Sequence, residues 1–373
     1  MKETARQARR LLERTGEHPV VSVHFDLDPE EFATAPARAT QARSLIDEAA
    51  RISRSDRSWG HQDRVTLTAD VERLDAYLQS DDLPVSGARA LAVFCSGQDD
   101  LFETVRLPHP LTPRVVIART PYVEPLAVGL GEGGWCVALV SRHAGRIFDG
   151  GEAGVREHRD IGGKLAGEHH NHERSYDNEA DAHLRDVAQE LYRHWQRRPF
   201  QHLLIGGPPD AVERFAELLH NDLRPTLSSS RVDLDVNSAS ETDVRSAAEP
   251  LVEQELSATE HRALEELSTR LATQGAAATG VEATLEALTE RRVETLLLSR
   301  DFQAQGGRCR SDGLLTAAHD GNCPLDGTEL EPVDDLREAA VEAALLQDAE
   351  ILVFDETPGE LRRGRGIAAL LRF

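Results

Sequence analysis

Short runs of Val, Ile, Leu and Phe recur along this chain, separated by stretches whose apolar residues fall at helical spacing, and this alternation limits the folds open to it more than any other feature. The runs are VVSVHF (20–25), ALAVF (90–94), VVIA (115–118), WCVALVSR (135–142), HLLIGG (202–207), VETLLLS (293–299), ILVF (351–354) and GIAALLRF (366–373). β-Branched and aromatic residues suit the pleated, half-buried surface of a strand. Between the runs, the spacing predicts helices over 37–53, 63–79, 175–196, 208–223, 258–273, 280–291 and 334–349. In the second of these, Val65, Leu67, Val71, Leu74 and Leu78 are expected to share one apolar face. Strands alternating with helices imply an α/β fold with parallel pairing.

Glycine- and proline-rich breaks divide the alternation into three expected domains: 1–130, 131–256 and 257–373. The first ends at GLGEGG (129–134). The second opens on two strands, WCVALVSR and RIFDGG, turning at Ala144-Gly145, and ends on the strand-like RVDLDVN (231–237). Between them lies a Gly- and His-rich loop, 160–175, followed by a long helix with Ala180, Leu184, Val187, Ala188 and Leu191 on one face. The third reads as a small α/β/α sandwich.

At 373 residues, with 40% hydrophobic and 29% charged residues, the chain has the composition of globular domains. No apolar run approaches the roughly 18 residues that span a bilayer, and MKETARQARRLLERTG reads as an amphipathic helix rather than a signal peptide. Four cysteines are too few for a disulfide framework, so a reducing, cytoplasmic setting is expected. The net charge of −23 argues against non-specific nucleic-acid binding, which relies on neutralising phosphates. Docking on RNA would instead use local basic clusters: Arg6, Arg9, Arg10 and Arg14; His194, Arg197 and Arg198; Arg362, Arg363 and Arg365. Lysine occurs only at Lys2 and Lys164.

Three segments carry residues with chemistry. In the loop 160–175, Gly162 and Gly163 allow a tight turn, and His169, His170, His172 and Glu173 offer either metal ligands or solvated, RNA-facing side chains, with Arg174 beside them. In GGRCRSDGLLTAAHDGNCPLDG (306–327), Cys309 and Cys323 head two zinc-knuckle-like turns that each lack a second cysteine. Cys309, His319 and Cys323, with an Asp as fourth ligand, would make a zinc site; a metal-free remnant loop is the other reading. Cys95 and Cys136 are expected in the core. HLLIGGPPD lacks the Lys-Ser/Thr of a nucleotide loop, and no serine elbow is present.

The order of these parts resembles bacterial relatives of the archaeo-eukaryotic class-1 peptide chain release factor and Pelota family, including Balon-like ribosome hibernation factors. The resemblance rests on GGKLAGEHHNHERSYDNEADAHLRDVAQEL followed by HLLIGGPPDAVERF, on the degenerate knuckle before DDLREAAVEAAL, and on the terminal GIAALLRF. It covers about 135–373; the first 130 residues match by position only. It implies a divergent N-terminal domain, a ribonuclease-H-like middle domain and a C-terminal domain like the kink-turn-binding ribosomal proteins. Hydrolytic members carry a Gly-Gly-Gln tip. Here Gly162, Gly163 and Lys164 take those positions, and no Gln lies between Gln98 and Gln189. An ammonium cannot reproduce the paired donor and acceptor of an amide. The expectation is therefore a ribosome-binding factor for hibernation or rescue that occupies the A site, contacts rRNA through Lys164, His169, His170, His172, Arg174, Arg197 and Arg198, and does not hydrolyse peptidyl-tRNA. A translational GTPase is the implied partner, and no cofactor is required beyond the zinc alternative. The alternatives are a peptidyl-tRNA hydrolase with an altered Gly-Gly-Lys tip, and a metal-dependent hydrolase built on the His-rich loop.

Overall fold

The computed structural model describes residues 3–14, 18–27, 32, 34–56, 59–80, 83–85, 88–107, 110–128, 134–151, 154–162, 173–198 and 200–373. The chain divides into two compact units, one formed by 132–258 and the other by 1–131 together with 259–373. The first and last stretches, separate in the sequence reading, thus share one unit.

Residues 1–131 run α1 (Glu3–Arg14), β1 (Val20–Asp26), α2 (Ala35–Ser55), α3 (His61–Leu78), β2 (Ala90–Ser96), β3 (Leu101–Leu107), β4 (Arg114–Ala118) and α4 (Glu124–Val128). The strands form an antiparallel sheet in the order β3-β2-β1-β4. Every residue of β1 and β2 is buried, so the sheet needs cover on both faces. Ala42, Leu45 and Ala49 of α2 and Leu67, Val71, Leu74 and Leu78 of α3 cover Val21, Val23 and Phe25. Val65 lies outside this stripe, 53% exposed, because the buried row of α3 runs instead through Asp70, which accepts the Gly97 N–H at 3.1 Å. Cys95 is buried under the same helices.

The unit 132–258 contains β5 (Trp135–Val140), β6 (Ala144–Gly151), β7 (Gly154–Gly162), α5 (Glu173–Arg197), β8 (His202–Gly206), α6 (Pro209–Leu218), β9 (Leu227–Val232) and the first half of α7 (Glu241–Ala272). Its strand order is β7-β6-β5-β8-β9; β5, β8 and β9 are parallel, and β6 is antiparallel to both its neighbours. β5 has no polar face. Cys136, Ala138 and Val140 pack under Leu184, Val187 and Leu191 of α5, and Trp135, Val137 and Leu139 pack against Val244, Ala248 and Val252 of α7. Three expectations differ here. The β5–β6 turn is Ser141–His143, with Ala144 and Gly145 already in the strand. β7 occupies the start of the expected loop. The last strand is displaced to 227–232, because the Asp235 carboxylate accepts the N–H groups of Asn237 and Ser238 and turns the chain.

Residues 259–373 complete the first unit. After the second half of α7 come β10 (Ala277–Thr279), α8 (Val281–Thr289), β11 (Val293–Ser299), β12 (Gly306–Arg308), β13 (Leu315–Thr316), β14 (Glu331–Val333), α9 (Leu336–Leu345), β15 (Glu350–Phe354), α10 (Gly359–Arg363) and β16 (Ile367–Leu371). The main sheet has the order β10-β16-β11-β15, with β12, β13 and β14 in a small separate sheet. Leu285 and Leu288 of α8 and Ala340 and Ala344 of α9 cover one face and join the core that α1 and α4 form with the N-terminal sheet; Ala263 and Leu267 cover the other. Glu338 of α9 accepts the N–H groups of Val123 at 2.8 Å and Glu124 at 2.9 Å, while Arg337 donates to Glu124 at 2.8 Å. Burial and the neighbouring Glu342 push the Glu338 carboxyl well above the usual carboxylate range.

Two predictions follow from this packing. Glu338→Ala leaves the amides of buried Val123 and half-buried Glu124 without acceptors, a cost of about 2–4 kcal/mol in urea unfolding; a loss below about 0.5 kcal/mol would contradict the role assigned to Glu338. His24 of β1 is buried against Tyr122, and burial holds its imidazole at about 4, with Arg114 adding to the effect. The unfolded chain therefore takes up this proton at higher pH than the folded one. This contribution to stability is present above about pH 6.5 and is lost as pH falls toward 4, about 3 kcal/mol over the window. His24→Leu should flatten the pH dependence of unfolding in that range, and an unchanged slope would count against the assignment.

Candidate functional site

Gly162 is the last residue of β7, and α5 begins at Glu173. Gly163, Lys164, His169, His170 and His172 lie outside the described residues, as do the side chains of Glu173 and Arg174. β7 pairs with β6 from Gly154 to Gly162, with one slip of register at His158. Arg146 of β6 grips Glu157 of β7 with two bonds, 2.7 and 2.8 Å, and donates to the carbonyls of Val236 and Ala239 at 3.1 and 2.9 Å. Those bonds hold the Glu157 carboxyl below its ordinary range. The Glu157 N–H donates to Glu241 at 2.8 Å. An outer strand with few apolar residues is thus held by its ladder to β6 and by the Arg146 guanidinium.

The basic clusters are largely occupied. Arg9 pairs with Glu13 at 2.8 Å and with Asp348, and Arg14 with Glu103 at 3.3 Å. His194 is not a surface cation: it is 1% exposed, with Nε2 2.5 Å from Asp149 Oδ1. Arg197 and Arg198 are exposed at the end of α5, and Arg198 reaches Asp149 Oδ2 at 3.4 Å. Arg362 and Arg365 line a cavity of about 580 Å³ with Asp301 and Glu356.

The knuckle segment is assembled, with one change of membership. His319 stands apart, 44% exposed and 3.8 Å from Asp334. The residues that join Cys309 and Cys323 are Asp312 and Asp326, the four ligand atoms all lying within 4.8 Å of one another. Each turn is Cys-x-x-Asp-Gly, with Gly313 and Gly327 at φ 76° and 79°, a region open to glycine. Gly313 and Gly327 donate to the Cys309 and Cys323 carbonyls at 3.0 and 2.9 Å. Cys323 Sγ lies 3.4 Å from Asp312 Oδ2, and Cys309 Sγ lies 3.8 Å from Asp326 Oδ1. The edge of a tetrahedral zinc site with one sulfur and one oxygen is roughly 3.5 Å, from metal–ligand distances near 2.3 and 2.0 Å. The donors therefore fit a divalent cation. The repeated Cys-x-x-Asp-Gly spacing was the sequence signal for both aspartates. Hydrogen bonds from Ser311 and Thr328 hold Asp326 well below its usual range, the charged form that ligation requires.

Residues 121–253 match the family model of bacterial archaeo-eukaryotic release factor family 10, which bears out the resemblance read from the sequence. No curated protein matches the chain. Solved structures with which it aligns include an archaeal translation termination factor, at 18% identity over 100% of this chain and 97% of that one, TM-score 0.29. A ribosome-bound archaeal Pelota aligns at 15% identity over 100% and 95%, TM-score 0.42. The C-terminal domain of a peptide chain release factor from Methanosarcina mazei aligns at 28% over 35% and 91%, TM-score 0.26.

Arg146→Met should free the tip-bearing strand. Hydrogen exchange of β7 amides is expected to show opening easier by about 1–3 kcal/mol, with β5 and β8 amides unchanged. Equal change in all three strands would assign Arg146 a global role instead.

Proposed function

We propose that this chain is a ribosome-binding translation factor of the release factor/Pelota type that occupies the A site of stalled or hibernating ribosomes without hydrolysing peptidyl-tRNA. One observation carries the reading: the family match at 121–253 falls on the compact unit 132–258, and within it the tip reads Gly162-Gly163-Lys164. Hydrolysis by the family's tip needs an amide that both donates to and accepts from water and ester; an ammonium only donates. Lys164 is suited instead to a phosphate or carbonyl oxygen of RNA. The strand order of the unit, with β5, β8 and β9 parallel and β6 antiparallel, supports a ribonuclease-H-like middle domain. The helix-covered β10-β16-β11-β15 sheet suits a C-terminal domain like the kink-turn-binding ribosomal proteins. A zinc ion held by Cys309, Asp312, Cys323 and Asp326 would be structural, closing the loop between β12 and β14.

The charge of −23 opposes approach to rRNA, so binding is expected to need magnesium and a protein partner, a translational GTPase by family analogy. A cytoplasmic location suits this work, and among the described residues no helix is long and apolar enough to cross a membrane.

The protein should sediment with 70S ribosomes at low salt and millimolar magnesium, and Lys164→Ala should weaken that association without altering thermal unfolding. Absence from the ribosomal fractions with candidate GTPases present would overturn the proposal.

A further inference from the structure

Three side chains from three elements converge on the α5 face of the middle sheet: Asp149 of β6, His158 of β7 and His194 in the last turn of α5. Their ligand atoms all lie within 4.8 Å of one another. The route by which His158 arrives there is unusual. Along the β6–β7 ladder Phe148 faces Glu157, but Ile147 faces Arg159. His158 is the surplus residue at that slip of register, a bulge, and bulges re-aim side chains beside functional sites. Its ring lies 3.9 Å, centroid to centroid, from the ring of His194.

We infer that Asp149, His158 and His194 bind a borderline divalent cation such as zinc, cobalt or ferrous iron. Two imidazoles with one carboxylate suit such ions, whereas magnesium and calcium want mainly oxygen. Burial graded across the site leaves room for water or a further ligand: His194 is buried, Asp149 half-buried and His158 exposed. The 2.5 Å between His194 Nε2 and Asp149 Oδ1 need open by less than about 1 Å to reach the ~3.3 Å edge of a tetrahedral site with 2.0–2.1 Å bonds.

An ordinary His–Asp pair at a helix end explains two of these residues and not the third. Two charged imidazoles stacked at this distance would repel each other. Glu190, one turn before His194 and also buried, adds negative potential. Arg198 opposes the ion from 3.4 Å at Asp149 Oδ2, with 43% of its side chain exposed. A bound cation would tie β7 to α5, the two elements on either side of residues 163–172. This site does not depend on ribosome binding.

Cobalt(II) reports it directly. Titrated into the full-length protein carrying Cys309→Ser and Cys323→Ser, Co(II) should bind with saturable visible d–d bands and no thiolate-to-metal charge-transfer absorption. His158→Ala, at an exposed position, should keep the metal-free melting temperature and lower the affinity at least about tenfold. Asp149→Asn should weaken it similarly, and the wild-type chain should show the same d–d component. Unaltered Co(II) affinity in His158→Ala, or absorption in the wild type that arises only from thiolates, would overturn the inference.

Discussion

A strand with no polar face sets the architecture of the middle unit. WCVALV of β5 buries all six side chains, so both surfaces of the sheet must be covered. α5 meets Cys136, Ala138 and Val140, and α7 meets Trp135, Val137 and Leu139. At roughly 25 cal/mol per Å², covering such a strand outweighs any single polar contact in the unit. Once α5 is fixed over β5 and β6, the hairpin partner β7 can only run along the outside of β6. Its last residue, Gly162, then marks where the tip segment leaves the sheet.

That strand was legible because its side chains are apolar without interruption, and the same holds for β16. β7 was not. GVREHRDIG has two apolar residues in nine and is held by hydrogen bonds to β6 and by the Arg146–Glu157 pair, neither of which leaves a pattern of hydropathy. The first half of α7 was obscured by Pro250, which sits inside a helix whose packing overrides the residue's preference. Asp70 is hidden for a similar reason: a buried carboxylate with a backbone partner looks like a surface residue in sequence.

The polar clusters divide along the same line. Cys309, Asp312, Cys323 and Asp326 repeat a five-residue pattern within 19 residues, so their meeting is within reach of sequence, which places one Asp beside the two cysteines; the difference is a second Asp in place of His319. Asp149, His158 and His194 have no spacing rule in common. Strand register and a bulge bring them together, and a histidine at a helix end reads first as a response to the helix dipole. In both clusters carboxylates stand beside softer donors, an arrangement that an acidic chain supplies readily.

Position 164 carries the proposed function, since the sequence has Lys164 where the resemblance implies a glutamine amide. A photo-crosslinking residue placed at position 164, on ribosomes holding labelled peptidyl-tRNA, tests this most directly. The account predicts crosslinks to peptidyl-transferase-centre rRNA with the peptide still esterified to its tRNA. Release of the labelled peptide, or crosslinks that never reach that centre, would contradict it.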